Sequence, residues 1–179
     1  MKIKNMIISA VAAATAIFMV GCDKTPSVEK MTTISTVIGR TAGYACELSK
    51  TKTEVKEAIA KVLDVASTAV PTNGQTFAEA WTPVIDVELA KLVEAGKLDA
   101  TGAKVAKIAL GVACDGIDYV FVKYPKAKEV KELVSAAITG FVSGYKSVVT
   151  CDDCVVRSGA IKPEIDEEAY KYLKSRMTK

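Results

Sequence analysis

Histidine is missing from all 179 residues. Its absence removes Ser–His and Cys–His catalysis and the imidazole ligands used by most zinc sites. Proline occurs five times, tryptophan once, and aromatic residues make up 6% of the chain. That is too little aromatic surface for a sugar-binding face and too little proline for a disordered tether. Neither charge sign dominates, with 24 Lys and Arg against 21 Asp and Glu. Nucleic acid needs a basic face to meet its phosphates, and electrostatic membrane binding needs a polybasic patch, so the balance argues against both classes. What the chain has in quantity is Ala, Val, Ile and Lys, which suits a helical bundle with one real core. No cofactor is expected.

One long run of apolar and small residues exists, Met6 to Val20. Lys2 and Lys4 precede it, and Met19-Val20-Gly21-Cys22 followed by Asp23-Lys24 closes it. Such a run is short for a permanent span but fits the apolar core of an export signal. The segment resembles the lipobox of bacterial lipoprotein precursors, with Met19 where that family usually has Leu. The resemblance covers residues 1–22. It implies cleavage after Gly21 and acylation of Cys22, so that a lipid such as palmitate is the membrane anchor. An uncleaved anchor helix is the alternative, and both place the remainder outside the cytoplasm. Asp23 after the acylated cysteine resembles the inner-membrane retention signal of enteric lipoproteins, although Lys24 stands beside it. In a host with two membranes this implies the periplasmic face of the inner membrane; in a host with one, the cell surface. Processing removes two basic residues and no acidic one, leaving the charges nearly balanced. The expected organisation is a signal peptide over 1–21, a lipidated cysteine and short tether over 22–27, and a single helical domain over 28–179.

The periodicity of that domain predicts an all-α bundle of about six helices. The first begins at Thr25 or Ser27, with Pro26 suited to its first turn. It buries Met31, Ile34, Ile38, Ala42, Ala45 and Leu48. The second runs from about Thr53 to Val70, with Val55, Ile59, Val62, Leu63 and Ala66 inward, and Pro71-Thr72-Asn73-Gly74 ends it. Thr76 and Glu79 form a capping-box signature for the third. Pro83 is expected to kink or restart that helix, which stops at Gly96 with Leu98 placed for the accompanying apolar contact. Asp99 or Thr101 caps a fourth helix that reaches Tyr124. Its apolar residues, Ile108 among them, cover more than one face, so it is expected to be central. A fifth runs from about Pro125 to Val149, and a charged sixth from about Pro163 to Met177. Glu54-Val55-Lys56-Glu57 recurs as Glu129-Val130-Lys131-Glu132, but the spacing from the preceding cysteines differs, and no duplication is inferred.

Four cysteines remain beyond Cys22: Cys46, Cys114, Cys151 and Cys154. An even number in an exported chain reads as disulfides, for which three connectivities exist. Similar helical settings favour Cys46 with Cys114, leaving Cys151 with Cys154. The Cys151-Asp152-Asp153-Cys154 spacing is shared with redox enzymes and zinc sites. Two carboxylates between the sulfurs and a preceding helix C-terminus both oppose a reactive thiolate, so a structural staple is the preferred reading.

Three further patterns stand out. Gly39 and Gly43 on the first helix, and Gly140 and Gly144 on the fifth, are spaced for close approach of two helix backbones. Arg40 and Lys146 beside them argue for a bundle rather than a bilayer-inserted pair. Asp115 and Asp118 lie one turn apart, as a cation or acid–base site would need, but a third ligand is lacking and a solvated edge is the commoner meaning. Phe77 and Trp81, with Pro83, are either a core plug or an exposed contact surface for a partner. Taken together the residues suggest a lipid-anchored protein that binds or occludes a protein partner at the cell envelope. The lipid-anchored exclusion proteins of phages and plasmids are similar in size and design. A structural component of an envelope complex is the alternative, and a thiol-redox enzyme using Cys151 and Cys154 a weaker one.

Overall fold

The computed structural model describes residues 25–48, 51–72 and 74–149. Five α-helices occur there and no strand: α1 Val28–Leu48, α2 Thr53–Ala66, α3 Phe77–Glu94, α4 Ala100–Lys123 and α5 Lys131–Val149, with a 3-10 turn over Pro125–Glu129. The all-α bundle expected from periodicity is therefore present. The predicted sixth helix, at 163–177, lies outside the described residues.

Local chemistry sets the helix ends. The Ser27 side chain accepts from the Lys30 amide at 3.2 Å, so Ser27 is the cap of α1 and Pro26 precedes it rather than entering the first turn. Thr76 and Glu79 make both halves of the capping box on α3, at 3.1 and 2.8 Å. The third helix ends in a Schellman motif: Lys97 donates to the Leu92 carbonyl and Gly96 to that of Val93. Gly96 has φ +66°, which a side chain resists, and Leu98 is buried beneath it. Of the two proposed caps for α4, Asp99 is the one used, its carboxylate accepting from the Gly102 amide.

Three boundaries differ from expectation. Helix α2 stops at Ala66, where Ser67 and Thr68 turn their hydroxyls back to the Asp64 and Val65 carbonyls. Pro83 neither ends nor restarts α3, which runs continuously from Phe77 to Glu94. Pro83 and Glu79 are both exposed, so the Glu79 carbonyl that loses an amide partner can be hydrated instead. Pro125 opens the 3-10 turn, and the α-helix proper begins only at Lys131.

Helices α1 and α5 form the main contact of the bundle; α3 packs chiefly on α4, and α2 touches α3, α4 and α5. The α1–α5 pair is parallel, since Gly140 faces Thr32 and Thr36, Gly144 faces Thr36, and Gly43 faces Tyr145 and Val148. All four glycines predicted to allow close approach lie in this one seam. A Cβ on Gly140 would sit 2.5 Å from the Thr32 carbonyl oxygen, and one on Gly39 2.8 Å from the Tyr145 amide nitrogen. Such approach raises the dispersion contact between two backbones that bulkier residues would hold apart. Helices α3 and α4 are antiparallel, with Asp118 at the start of α3 and Lys107 paired to Asp86 farther along. The core includes Met31, Ile34, Leu63, Phe141 and Tyr145, each at most 2% exposed. No helix among the described residues is long and apolar enough to cross a membrane.

Candidate functional site

Cys22, the expected lipid-bearing residue, lies outside the described residues, as do Cys151 and Cys154. Helix α1 starts at Val28, six positions after Cys22 in the sequence.

Cys46 and Cys114 are both buried, and no disulfide joins them. The expected Cys46–Cys114 bridge is therefore corrected. The reason is angular. Cys46 faces a small cavity of about 10 Å³ into which α4 presents Ala109 and Ala113. Cys114, one residue on, is turned about 100° away around the helix. Tyr145 points its hydroxyl at the Cys46 sulfur, 3.8 Å away, and at the Lys56 carbonyl at 3.5 Å. Burial pushes the Cys46 thiol up to about 11, partly offset by that hydroxyl. Burial, then the charges of Asp118 and Asp115, push Cys114 up to about 12. Neither sulfur is poised to be a thiolate near neutrality. The cavity itself is at the lower limit for a single water.

Phe77 and Trp81 are fully buried. The expectation that they form a partner contact is corrected: they are the core plug. Phe77 meets Trp81 edge-on at 5.4 Å and stacks on Phe121 at 5.5 Å, while the indole N–H donates to the Ala69 carbonyl at 3.0 Å. That bond ties the loop after α2 to α3 and satisfies the one polar atom of the ring.

Asp115 and Asp118 divide in role. Asp115 is exposed, whereas Asp118 is half-buried and accepts from the Phe77 and Ala78 amides at 2.8 and 3.2 Å. These are the first two amides of α3, which Thr76 leaves unserved, so Asp118 completes the cap from another helix. Burial raises its carboxyl, against the pull of both amides. Among the described residues no group of three metal-capable side chains gathers here or elsewhere. A helix cap whose partner is 41 residues away leaves no local sequence signature.

An open groove of about 580 Å³ lies between the end of α2 and α5. Val70, Ile138 and Val142 form its apolar floor, and Ser135, Thr139 and Ser143 line it at four-residue intervals. Lys146 at its end pairs with Asp64 at 2.6 Å. A second bridge, Lys56 to Glu47 at 2.6 Å, fastens α2 to the end of α1 with both side chains largely covered. Both lock the helices around the seam rather than present charge to a ligand. Comparison with protein-family models, curated proteins and solved structures finds no match.

Proposed function

We propose that the chain is an exported lipoprotein, held at a membrane through Cys22, which acts by binding or occluding a protein partner at the cell envelope. The observation that carries this reading is the lipobox-like junction Met19-Val20-Gly21-Cys22, followed within a few residues by a bundle that starts at Val28. A tether so short keeps the bundle against the lipid surface, where a blocking or docking role needs it. Among the described residues, Cys46 and Cys114 are buried with raised thiol pKa, which disfavours thiol chemistry at those two positions. On this reading the protein resembles, in size and anchoring, the exclusion lipoproteins of phages and plasmids.

The test has two readouts. Cys22→Ser should abolish incorporation of labelled palmitate and leave unprocessed precursor; palmitate retained on the variant would remove the anchor. Cells expressing the wild type at the same level should resist phage infection or conjugal DNA transfer, and cells expressing Cys22→Ser should not. Equal susceptibility of both lines to phages and donors of the host would remove the exclusion role while leaving the anchor standing.

A further inference from the structure

Helix α4 is less central than its composition suggests. Lys104, Ile108, Gly111, Asp115, Tyr119 and Val122 are all exposed and follow one another at three- and four-residue intervals, which makes a single stripe along the helix. Ile108, Tyr119 and Val122 are 44%, 43% and 72% exposed. Gly111 sits at the middle of the stripe, and a Cβ built there would meet nothing within 4 Å. Glycine inside a helix weakens it relative to alanine. In α1 and α5 that weakening is offset by backbone contact at Gly39, Gly43, Gly140 and Gly144. Gly111 has no such contact among the described residues.

We propose that this face of α4 docks on the same face of a second copy of the chain, with the two α4 helices antiparallel about a two-fold axis level with Ala109 and Leu110. The register follows from the order of residues. It sets Ile108 over the partner's Gly111, a branched side chain in the gap a missing side chain leaves. The same register sets Lys104 beside the partner's Asp115. Each contact occurs twice by symmetry, as an isologous interface requires. Charge order favours a second copy in this orientation: the stripe carries Lys104 in its N-terminal half and Asp115 in its C-terminal half, and Lys107 and Asp118 flank it. Lys123, beside Val122, stands over the Tyr119 ring of its own helix at 5.7 Å. Lys107 is already paired with Asp86, and Asp118 caps α3. Lys104 and Asp115 are left to pair across the interface. A parallel arrangement would set Lys104 against its own copy.

Sedimentation of the full chain in mild detergent tests the contact, with Ile108→Cys cross-linking in intact membranes as a reading free of detergent. The wild type should reach a dimer as concentration rises, and Ile108→Cys should cross-link. Lys104→Asp and Asp115→Lys should each weaken the dimer by about tenfold or more, and the double variant should recover it. Gly111→Leu should abolish the dimer with its helical circular dichroism unchanged, because the new side chain enters open space in the single chain. A wild type that stays monomeric would overturn the proposal. So would a dimer that tolerates Gly111→Leu, a charge swap that fails to recover association, or no cross-link at residue 108.

Discussion

The amide of Phe77 donates to the carboxylate of Asp118 at 2.8 Å, across 41 residues of chain. One carboxylate on α4 thereby fixes where α3 begins and how the two helices sit against each other. It also anchors the aromatic plug, since Phe77 stacks on Phe121, in the next turn of the same helix as Asp118.

Asp118→Ala leaves the first two amides of α3 without their acceptor in a half-buried place. The expected loss is about 1–3 kcal/mol, the range for stranding buried donors. Urea unfolding of both proteins measures it. A loss below a few tenths would mean that water replaces the carboxylate without cost and that the cap is incidental.

The same carboxylate should titrate differently from the other two capping acids. Glu79 is lowered chiefly by its bond to the Thr76 amide, and Asp99 chiefly by its bond to the Gly102 amide. A lowered folded value means that the stability these caps contribute is present above the unfolded pKa, about 4 for carboxylates, and is lost as pH falls through the folded values. Asp118 is raised by burial, so the sign reverses. Its ionisation weighs against the fold above the raised pKa, and the penalty lifts as pH falls through it. Side-chain carboxyl NMR should place the Asp118 midpoint above the ordinary aspartate value and those of Glu79 and Asp99 below the ordinary values of their own side chains. An Asp118 midpoint below the ordinary aspartate value would show that the two amides outweigh burial.

Glycine substitutions should separate two kinds of site by sign. Gly39→Ala or Gly144→Ala drives a methyl group into the facing backbone of the α1–α5 seam. Relieving that overlap means prising the helices apart, at a cost of about 1–3 kcal/mol. Gly111→Ala adds a methyl group in open space and should stabilise the single chain by about 1 kcal/mol through helix propensity. Thermal melts at low protein concentration, where association does not contribute, compare them. Equal effects at residues 111 and 144 would contradict the close seam.

Ser35 offers a test of the same seam from the polar side. Its hydroxyl is buried beside Gly140 and has no hydrogen-bond partner among the described residues. Ser35→Ala removes a stranded polar atom and keeps the small volume that the backbone of α5 needs. Stability should rise by about 1 kcal/mol. A loss on denaturant unfolding would mean that the hydroxyl is satisfied in solution.

Much of this architecture is legible from local pattern. Val55, Ile59, Val62, Leu63 and Ala66 mark the inner face of α2 by spacing alone, and Thr76 with Glu79 and Gly96 with Leu98 mark both ends of α3. The paired glycines identify a close helix contact because interior glycine is costly without one. What local pattern misses depends on direction around a helix or on distant chain. Cys46 and Cys114 have similar settings, yet a turn of about 100° separates Cys114 from the residue that faces Cys46. Ile108 fits the apolar pattern of α4 and still lies on its outer side. Asp118 reads as half of a solvated pair until the start of α3 is brought against it.

The thiols give the last prediction. Cys46 and Cys114 are reduced, buried, and pushed up to about 11 and about 12. Alkylation requires both access and thiolate, and native burial withholds both. Iodoacetamide at neutral pH should therefore leave Cys46 and Cys114 unmodified in the native protein and label both after unfolding without reductant, as read by peptide mass spectrometry. Labelling in urea separates this from the disulfide expectation, since a bridged pair would stay unlabelled until reduced. Raised pKa also fixes the sign with pH. For a thiol whose folded value exceeds the unfolded one, about 8.5, the unfolded state releases its proton first. Stability from this source is intact below the unfolded value and declines as pH rises through the interval up to the folded values, so the protein should lose stability on the alkaline side. Cys46→Ala and Cys114→Ala together should flatten that decline, whatever their effect at neutral pH. An unchanged alkaline slope in the double variant would show that other groups control it.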